Sequence, residues 1–440
     1  MPDRLSPRPL PSWVAPERLF AALSQQHADV FWLDAGSDAT EGWSFLGIGD
    51  AEALPEKVRL DVGSVDEGLP PFRGGWVGWR DYESGTARAG APIAAELEPD
   101  ARTWLRVTRA LAVDHAARQL WLLAPEEETD EGERWLQSLL NASIPDGATQ
   151  RAAEEKHTAE ARHTPDAYEE LIDRCRDLIR AGIAYQLCLT TRFTVPGAHD
   201  AVAVYGRLRA ATPAHHGGFL RIDGRALLSA SPEQFLHASG GIIRTRPIKG
   251  TRPRGADATT DAALAAELAA DPKERAENVM IVDLMRNDLS RVCVPGSIRV
   301  EGLWVVESYP AVHQLVSTVS GRAAEGTTVG ALLEAAFPAG SMTGAPKLSA
   351  MTQLHDLEGG PRDIYAGCFG YIGVDGALDL AMVIRSIVVD AGAAFVGAGG
   401  GITWGSVPAA EVREVATKAR APLAALGAEM PATWRSDILN

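Results

Sequence analysis

Lysine is scarce in this chain. Of 42 basic residues only six are lysines, Lys57, Lys156, Lys249, Lys273, Lys347 and Lys418. A bias that writes Arg elsewhere leaves Lys by chance or where Arg cannot serve, since only the amine can shed its proton and act as a nucleophile. Cysteine is equally sparse. Cys175, Cys188, Cys293 and Cys368 lie far apart with no C-x-x-C pair, which argues against a zinc site or a disulfide framework. The Pro-rich start, MPDRLSPRPLPSW, lacks the apolar core of a signal peptide. No run approaches the roughly 18 apolar residues of a membrane span; the best candidate, LDLAMVIRSIVV, is short and carries Arg385. Positive charge is also lacking. A net charge of -16 argues against nucleic acid and anionic membranes as partners. These absences read as a soluble, cytoplasmic protein.

What is present is 440 residues with 46% hydrophobic content, enough for one large core or two smaller ones. Residues 12–140 carry strand-like runs (VFWLDAG, GGWVGWRDYE, ALAVDHAARQLWLLA). Residues 141–163 have few large apolar side chains and read as a linker, and residues 164–426 as the catalytic region. There Thr164-Pro165 predicts a helix start, with Tyr168, Leu171, Ile172, Cys175 and Leu178 at helical spacing and Gly182 ending it. AYQLCLTTRFTV alternates with period two, placing Gln186, Cys188 and Thr190 on one face. Asp271-Pro272, with Glu274, opens another helix. Strands mixed with helices without strict alternation predict an α+β fold.

Several segments are dense in potential chemistry. RPIKGTRPRG (246–255) holds Lys249 on a loop of two prolines and two glycines; it reads as a solvated basic loop, an anion clamp or a nucleophile's mount. GSMTGAPK (340–347) does not fit a P-loop, nor GAGGGITWG (397–405) a dinucleotide fingerprint. Both, with Thr343, Gly344, Lys347, Gly399 and Gly401, still offer groups that could bind a carboxylate. Glu274 and Glu277 are three apart near one helix start; Glu411 and Glu414 repeat the spacing, with Lys418 one turn on. Such pairs suit Mg²⁺, which takes oxygen ligands and keeps several waters, or simply complement a helix dipole. Glu233, sixteen residues before Lys249, could serve as an acid/base or as a turn residue. His313 lies in an apolar segment, as core histidines do.

Together the segments YQLCLT, SASPEQF, RPIKGTRPRG, DPKERAENVMIVDLMRNDLSRV, HQLVSTVSG, FPAGSMTGAPK, YAGCFGYIG, MVIRS and GGGI resemble the chorismate-utilising family that includes anthranilate, aminodeoxychorismate, isochorismate and salicylate synthases. WSFLG and GGWVGW extend the likeness more loosely into the N-terminal region. The resemblance implies a large two-lobed α+β domain with two antiparallel sheets packed together and helices outside.

Members that place nitrogen at C2 of the ring carry Ala in the PIKGT loop, and those that place it at C4 carry Lys. The resemblance therefore implies amination of chorismate at C4 by a transferase of the 4-aminobenzoate branch of folate synthesis, with Lys249 as covalent nucleophile. Its amine would have a pKa lowered by burial or by cations such as Arg246 and Arg252. The resemblance further implies Glu233 as acid/base and Gln186 where water-using members have a lysine. Glu277 and Glu414 would be Mg²⁺ ligands, with Glu274 and Glu411 on its waters. Thr343, Gly344 and Lys418 would contact the ring carboxylate, Tyr365 and Arg385 the enolpyruvyl carboxylate, and His313 the C4 oxygen. Ammonia would come from a separate glutamine amidotransferase subunit, with no glutamine-hydrolysing domain fused. The alternatives are the anthranilate-forming reaction and a catalytically silent chorismate- or amino-acid-binding regulator. Three departures from the family pattern stand out: Cys188, the Trp404-Gly405 pair, and Ala35 where relatives with a tryptophan pocket have Ser.

Overall fold

The computed structural model describes residues 4–60, 66, 68–94, 101–144, 157–310 and 312–436. Most of its strands join one antiparallel array that folds back on itself in two limbs sharing the strand Trp104–Asp114. From there the first limb runs through Trp43–Glu52, Val30–Asp34, His216–Ile222, Arg225–Ser231, Ser386–Asp390 and Ala393–Ile402 to Gln186–Pro196. The second runs through Gly75–Arg80, Cys368–Gly373, Leu378–Met382 and Gln234–Ser239 to Ile242–Thr245 and Ile248–Pro253, which pair in succession along one edge of Val312–Arg322, and ends on Arg299–Ser308 at its other edge. The N-terminal and C-terminal halves therefore both supply strands to each limb, and neither half builds a limb alone.

The two limbs pack face to face. Phe31, Phe45, Leu220 and Leu227 of the first interleave with Val77, Trp79, Phe369 and Tyr371 of the second, all nearly dry. Helices cover the outer faces. Pro165–Arg180, Ala201–Ala211, Lys347–Glu358 and Pro408–Ala425 lie against the first limb, and Pro272–Ser290 with Val329–Ala336 against the second. The family's expected pair of packed sheets with helices outside is what the chain builds.

Local signals explain the elements that carry the site. The Thr164 hydroxyl accepts from Ala167 N at 3.2 Å, capping the helix Pro165–Arg180, and Gly182 turns the chain at φ 74°. Asp271 caps Pro272–Ser290 by accepting from Lys273 N and Glu274 N at 2.9 and 3.1 Å. The strand Gln186–Pro196 departs from a one-face reading. Alternation predicts one buried face, yet Leu187 and Leu189 pack on outer helices while Gln186, Cys188 and Thr190 are buried on the other side. A strand between two packed layers buries both faces.

Of the expected 141–163 linker, residues 145–156 lie outside the described residues. Beyond them, His157–Thr158 pairs in parallel with Ala428–Glu429, and Glu160–Ala161 pairs with Thr194 and Phe193. No helix among the described residues is long and apolar enough to cross a membrane.

Near that junction Trp434 is buried against Phe193 and Tyr168, with ring centroids at 5.2 and 6.0 Å, and its indole N–H donates to His163 O at 3.0 Å. Trp434→Ala is expected to cost about 3–5 kcal/mol in urea unfolding. A loss under about 1 kcal/mol would show that this C-terminal packing is dispensable.

Candidate active site

The free ends of the two limbs meet. Gln186 and Gly401 stand at the end of the first limb, on adjacent strands, and Lys249 on Ile248–Pro253 towards the end of the second. A Cβ built on Gly401 would fall 2.5 Å from Gln186 Nε2 and 3.3 Å from Lys249 Nζ, so both polar ends converge over one glycine. Both side-chain polar atoms of Gln186 are buried without a hydrogen-bond partner. An unsatisfied amide is costly in a core and suits a surface completed by ligand.

Glu233 sits where the chain crosses from Arg225–Ser231 in one limb to Gln234–Ser239 in the other. It is 8% exposed, and Ser341 Oγ donates to it at 3.1 Å. Burial pushes its carboxyl up to about 7, against the opposing pull of Lys249 and Ser341. Ser341 belongs to GSMTGAPK, but nothing in that motif marked it as the partner of Glu233.

The carboxylates come from two helices. Lys249 Nζ lies 3.7 Å from Glu277, and Lys273, one helical turn before, reaches the same carboxylate at 3.8 Å. Glu411 is buried and Glu414 half-exposed, and both approach the Cα of Gly400, where a Cβ would stand 3.0 and 3.9 Å from their oxygens. Burial raises Glu411, as do Glu414 and Glu277, while burial and Glu277 raise Glu274. Glu414 moves the other way: burial would raise it, but Lys418 at 2.6 Å, with Lys249 and Lys273, brings it below the usual range. The four acids and three lysines thus share one field.

The expected lowering of the Lys249 pKa is corrected. Burial would lower it, but Glu277, Cys188, Glu233 and Glu414 together raise it above the ordinary lysine value. The arginines expected to act on it are committed elsewhere, Arg246 to Glu307 and Arg252 to Asp271 at 2.9 Å and Glu267 at 3.1 Å. Arg252 also comes within 3.9 Å of Glu274, so it acts on the site's acids rather than on the Lys249 amine.

The other expected residues divide. Thr343 is fully buried, with its carbonyl accepting from Cys188 N at 2.8 Å, and Gly344 at φ 147° packs so tightly on the carbonyl of Gln186 that no side chain fits. The Lys418 ammonium also donates to Gly399 O at 2.7 Å. The Tyr365 ring lies beneath Gly397, and burial raises its hydroxyl, which feels Arg385. Arg385 itself feels Tyr365 and Glu414.

Two residues are not brought in. Lys347 donates to Asp288 at 2.7 Å and Ala336 O at 3.1 Å, tying two helices together. His313 is buried with both ring nitrogens taken, by Ser308 at 2.8 Å and Asp261 at 2.9 Å. Trp404 is exposed on the rim with Arg180 over its ring at 5.2 Å. A separate cavity of about 780 Å³, lined by Ala35, Trp43, His216 and Asp379 among others, holds none of the expected site residues.

The two-limbed α+β fold thus carries a site of paired carboxylates and lysines where the limb ends meet. Residues 14–424 match the model of the chorismate binding enzyme family, and the chain belongs to that family. It is 43% identical to an aminodeoxychorismate synthase of Streptomyces pristinaespiralis over 92% of this chain and 63% of that protein. It is 40% identical to anthranilate synthase component 1 of Streptomyces coelicolor, over 85% and 76%. The solved structure of anthranilate synthase component I from Streptococcus pneumoniae superimposes with a TM-score of 0.74 at 25% identity, covering 96% of this chain and 92% of that one. The chain thus spans less than two thirds of its aminodeoxychorismate synthase relative.

Two outcomes follow from this geometry. Because the folded Glu233 titrates above an unfolded carboxyl, the native state holds more protons between about pH 4.5 and 7, and stability falls as pH rises through that window. Glu233→Gln removes the titration, so its stability relative to wild type should grow by roughly 2–3 kcal/mol from pH 4.5 to 8. Urea unfolding at both pH values reads this, and an equal difference at the two would contradict the buried, raised carboxyl. Gly401→Ala, whose methyl would crowd Gln186 and Lys249, should cut turnover about 100-fold at unchanged melting temperature; turnover within three-fold of wild type would show that the convergence there is not used.

Proposed function

We propose that this chain aminates chorismate at C4 to give 4-amino-4-deoxychorismate, using ammonia from a separate glutamine amidotransferase subunit. A single observation carries the reading: the amine of Lys249 stands at the junction of the two limbs, beside the unpartnered amide of Gln186 and near a carboxyl titrating at about 7. Lys249 attacks C2 as the C4–O bond breaks, and Glu233 gives its proton to the departing hydroxyl, leaving water. Ammonia then bonds to C4, the C2–N bond to Lys249 breaks, and Glu233 takes up a proton released from the new C–N centre. Two displacements replace one, and nitrogen is directed to C4. Tyr365 and Arg385 hold the enolpyruvyl carboxylate, an arrangement in which a guanidinium can bind both oxygens.

Mg²⁺ belongs to the same proposal, and the donor set fits it. Among the described residues no three acidic, His or Cys groups already converge as a metal cage. Mg²⁺ needs few protein oxygens and keeps its waters, however, and the four carboxylates share one field across two helices. Glu277 and Glu414 would ligate it, with Glu274 and Glu411 holding its waters. Bound there, Mg²⁺ would polarise the ring carboxylate and neutralise the charges that keep Lys249 protonated. Thr343, Gly344 and Lys418 orient the same carboxylate.

The second reading, formation of anthranilate, is favoured by the 40% likeness to anthranilate synthase component 1. Mass spectrometry of products from chorismate, Mg²⁺ and ammonium separates them. We expect 4-amino-4-deoxychorismate, whereas anthranilate with pyruvate defeats the proposal. Lys249→Ala should lower that product at least 100-fold, and wild type mixed with chorismate without ammonia should gain the mass of a covalent adduct that the variant lacks. Full activity in the variant would remove the covalent route. Chelating divalent metal should abolish turnover, and Glu414→Gln should raise the Mg²⁺ needed for half-maximal rate; an unchanged requirement would remove Glu414 from the ligand set.

A further inference from the structure

Arg362 is a heavily engaged buried side chain that no step above uses. It is 1% exposed. Its guanidinium donates to Glu358 at 2.6 and 2.8 Å, to Met342 O at 2.6 Å and to Cys188 O at 2.8 Å, and lies 4.2 Å over the Tyr82 ring. Glu358 in turn accepts from Thr190 N and Oγ1 at 2.8 and 2.9 Å. Two of these acceptors adjoin the site. Cys188 is two residues from Gln186, and Met342 is next to Thr343. One cation therefore clamps the strand bearing Gln186 to the loop bearing Thr343 and Gly344.

The backbone of Arg362 fixes a third part. Glu83, from the N-terminal half, accepts from Arg362 N at 2.7 Å and Asp363 N at 2.8 Å. The chain then passes through two non-glycine residues at positive φ, Asp363 at 61° and Ala366 at 65°, with Tyr365 between them. Arg385, its partner in the site, is also at positive φ, 52°. L-residues hold this region only when surrounding bonds over-determine it. Those bonds are present: Asp363 O accepts from Tyr82 N at 2.9 Å, Ala366 N donates to Val383 O at 2.9 Å, and Asp363 accepts from Arg225 at 2.6 Å.

We propose that Arg362, with Glu358 and Glu83, is a positioning residue for chorismate, setting the spacing between the Gln186 strand, the Thr343–Gly344 loop and the Tyr365 turn. It touches no reacting atom. The metal-side carboxylates sit on the helices Pro272–Ser290 and Pro408–Ala425, to which its guanidinium makes no hydrogen bond. Loss of the clamp should therefore loosen the grip on substrate and leave the metal requirement alone. The inference rests on the preceding reading only in taking chorismate as the ligand.

The test is Arg362→Lys, whose single ammonium cannot span Glu358, Met342 O and Cys188 O together. Arg209→Lys serves as the control, since it weakens another buried pair, Arg209–Asp34 at 2.5 Å, far from Lys249 in the array. Chorismate affinity is measured by calorimetry without ammonia in a Lys249→Ala background, which cannot form the adduct, and KM, kcat, Mg²⁺ dependence and melting temperature are measured with Lys249 in place. Arg362→Lys should raise the chorismate Kd and KM about ten-fold with the Mg²⁺ midpoint within two-fold, and Arg209→Lys should leave Kd and KM unchanged at a comparable melting temperature. A rise of less than three-fold in Kd, or an equal rise in the control, overturns the proposal. If Arg362→Lys does not fold, Thr190→Val, which deletes one hydrogen bond to Glu358 at nearly constant volume, is judged by the same three-fold threshold. Failure of wild type to form 4-amino-4-deoxychorismate would sink the proposed reaction, while the Kd comparison would still decide the role of Arg362.

Discussion

The ammonium of Lys249 lies 3.7 Å from Glu277 and in the fields of Glu233 and Glu414, with little water to share the charge. Like charges on Glu274, Glu277, Glu411 and Glu414 would repel one another in a confined space. Lys249, Lys273 and Lys418 offset them. That balance constrains the fold, because the seven groups come from one strand and two helices, and a shift that separates Lys249 from Glu277 leaves a largely buried charge uncompensated. The scarcity of lysine makes the pattern sharper. Three of the chain's six lysines stand here, where a compact ammonium is interposed between carboxylates rather than spread over a planar fork.

A site at the junction of two sheet ends has a mechanical consequence. Neither limb alone contains it, so its precision depends on what holds the ends in register. The dry interface of Phe31, Phe45, Phe369 and Tyr371 sets the distance between the limbs, and the Arg362–Glu358 clamp sets the local spacing of strand and loop. Glu233, on the crossing between limbs, is placed by both. Apolar packing is non-directional and tolerates small slips. The buried hydrogen bonds around Arg362 do not, which is why polar groups appear where the site needs fixed geometry.

Much of the architecture was legible in the residues. The helix starts at Thr164-Pro165 and Asp271-Pro272, the turn at Gly182 and the strand through YQLCLT follow from local rules of capping, glycine conformation and alternation. The convergence of Lys249, Gln186, Glu233 and the two Glu pairs was accessible through family resemblance rather than through spacing. Spacing failed in specific places. Arg246 and Arg252 flank Lys249 in sequence but pair with acids of other segments. Ser341, Glu358 and Arg362 were missed because their roles depend on partners up to 279 residues away.

The sequence by itself determined which chemical groups were available and which local segments would be helix, turn or strand, because caps, φ preferences and periodicity act over a few residues. Resemblance to the family, rather than any local rule, singled out Lys249 as the candidate nucleophile. Tertiary structure decided the protonation of that amine, the commitment of His313 and Lys347 to structural partners, and the unpaired state of the Gln186 amide. Those properties are set by burial and by charges arriving from distant segments, and no local rule carries that information.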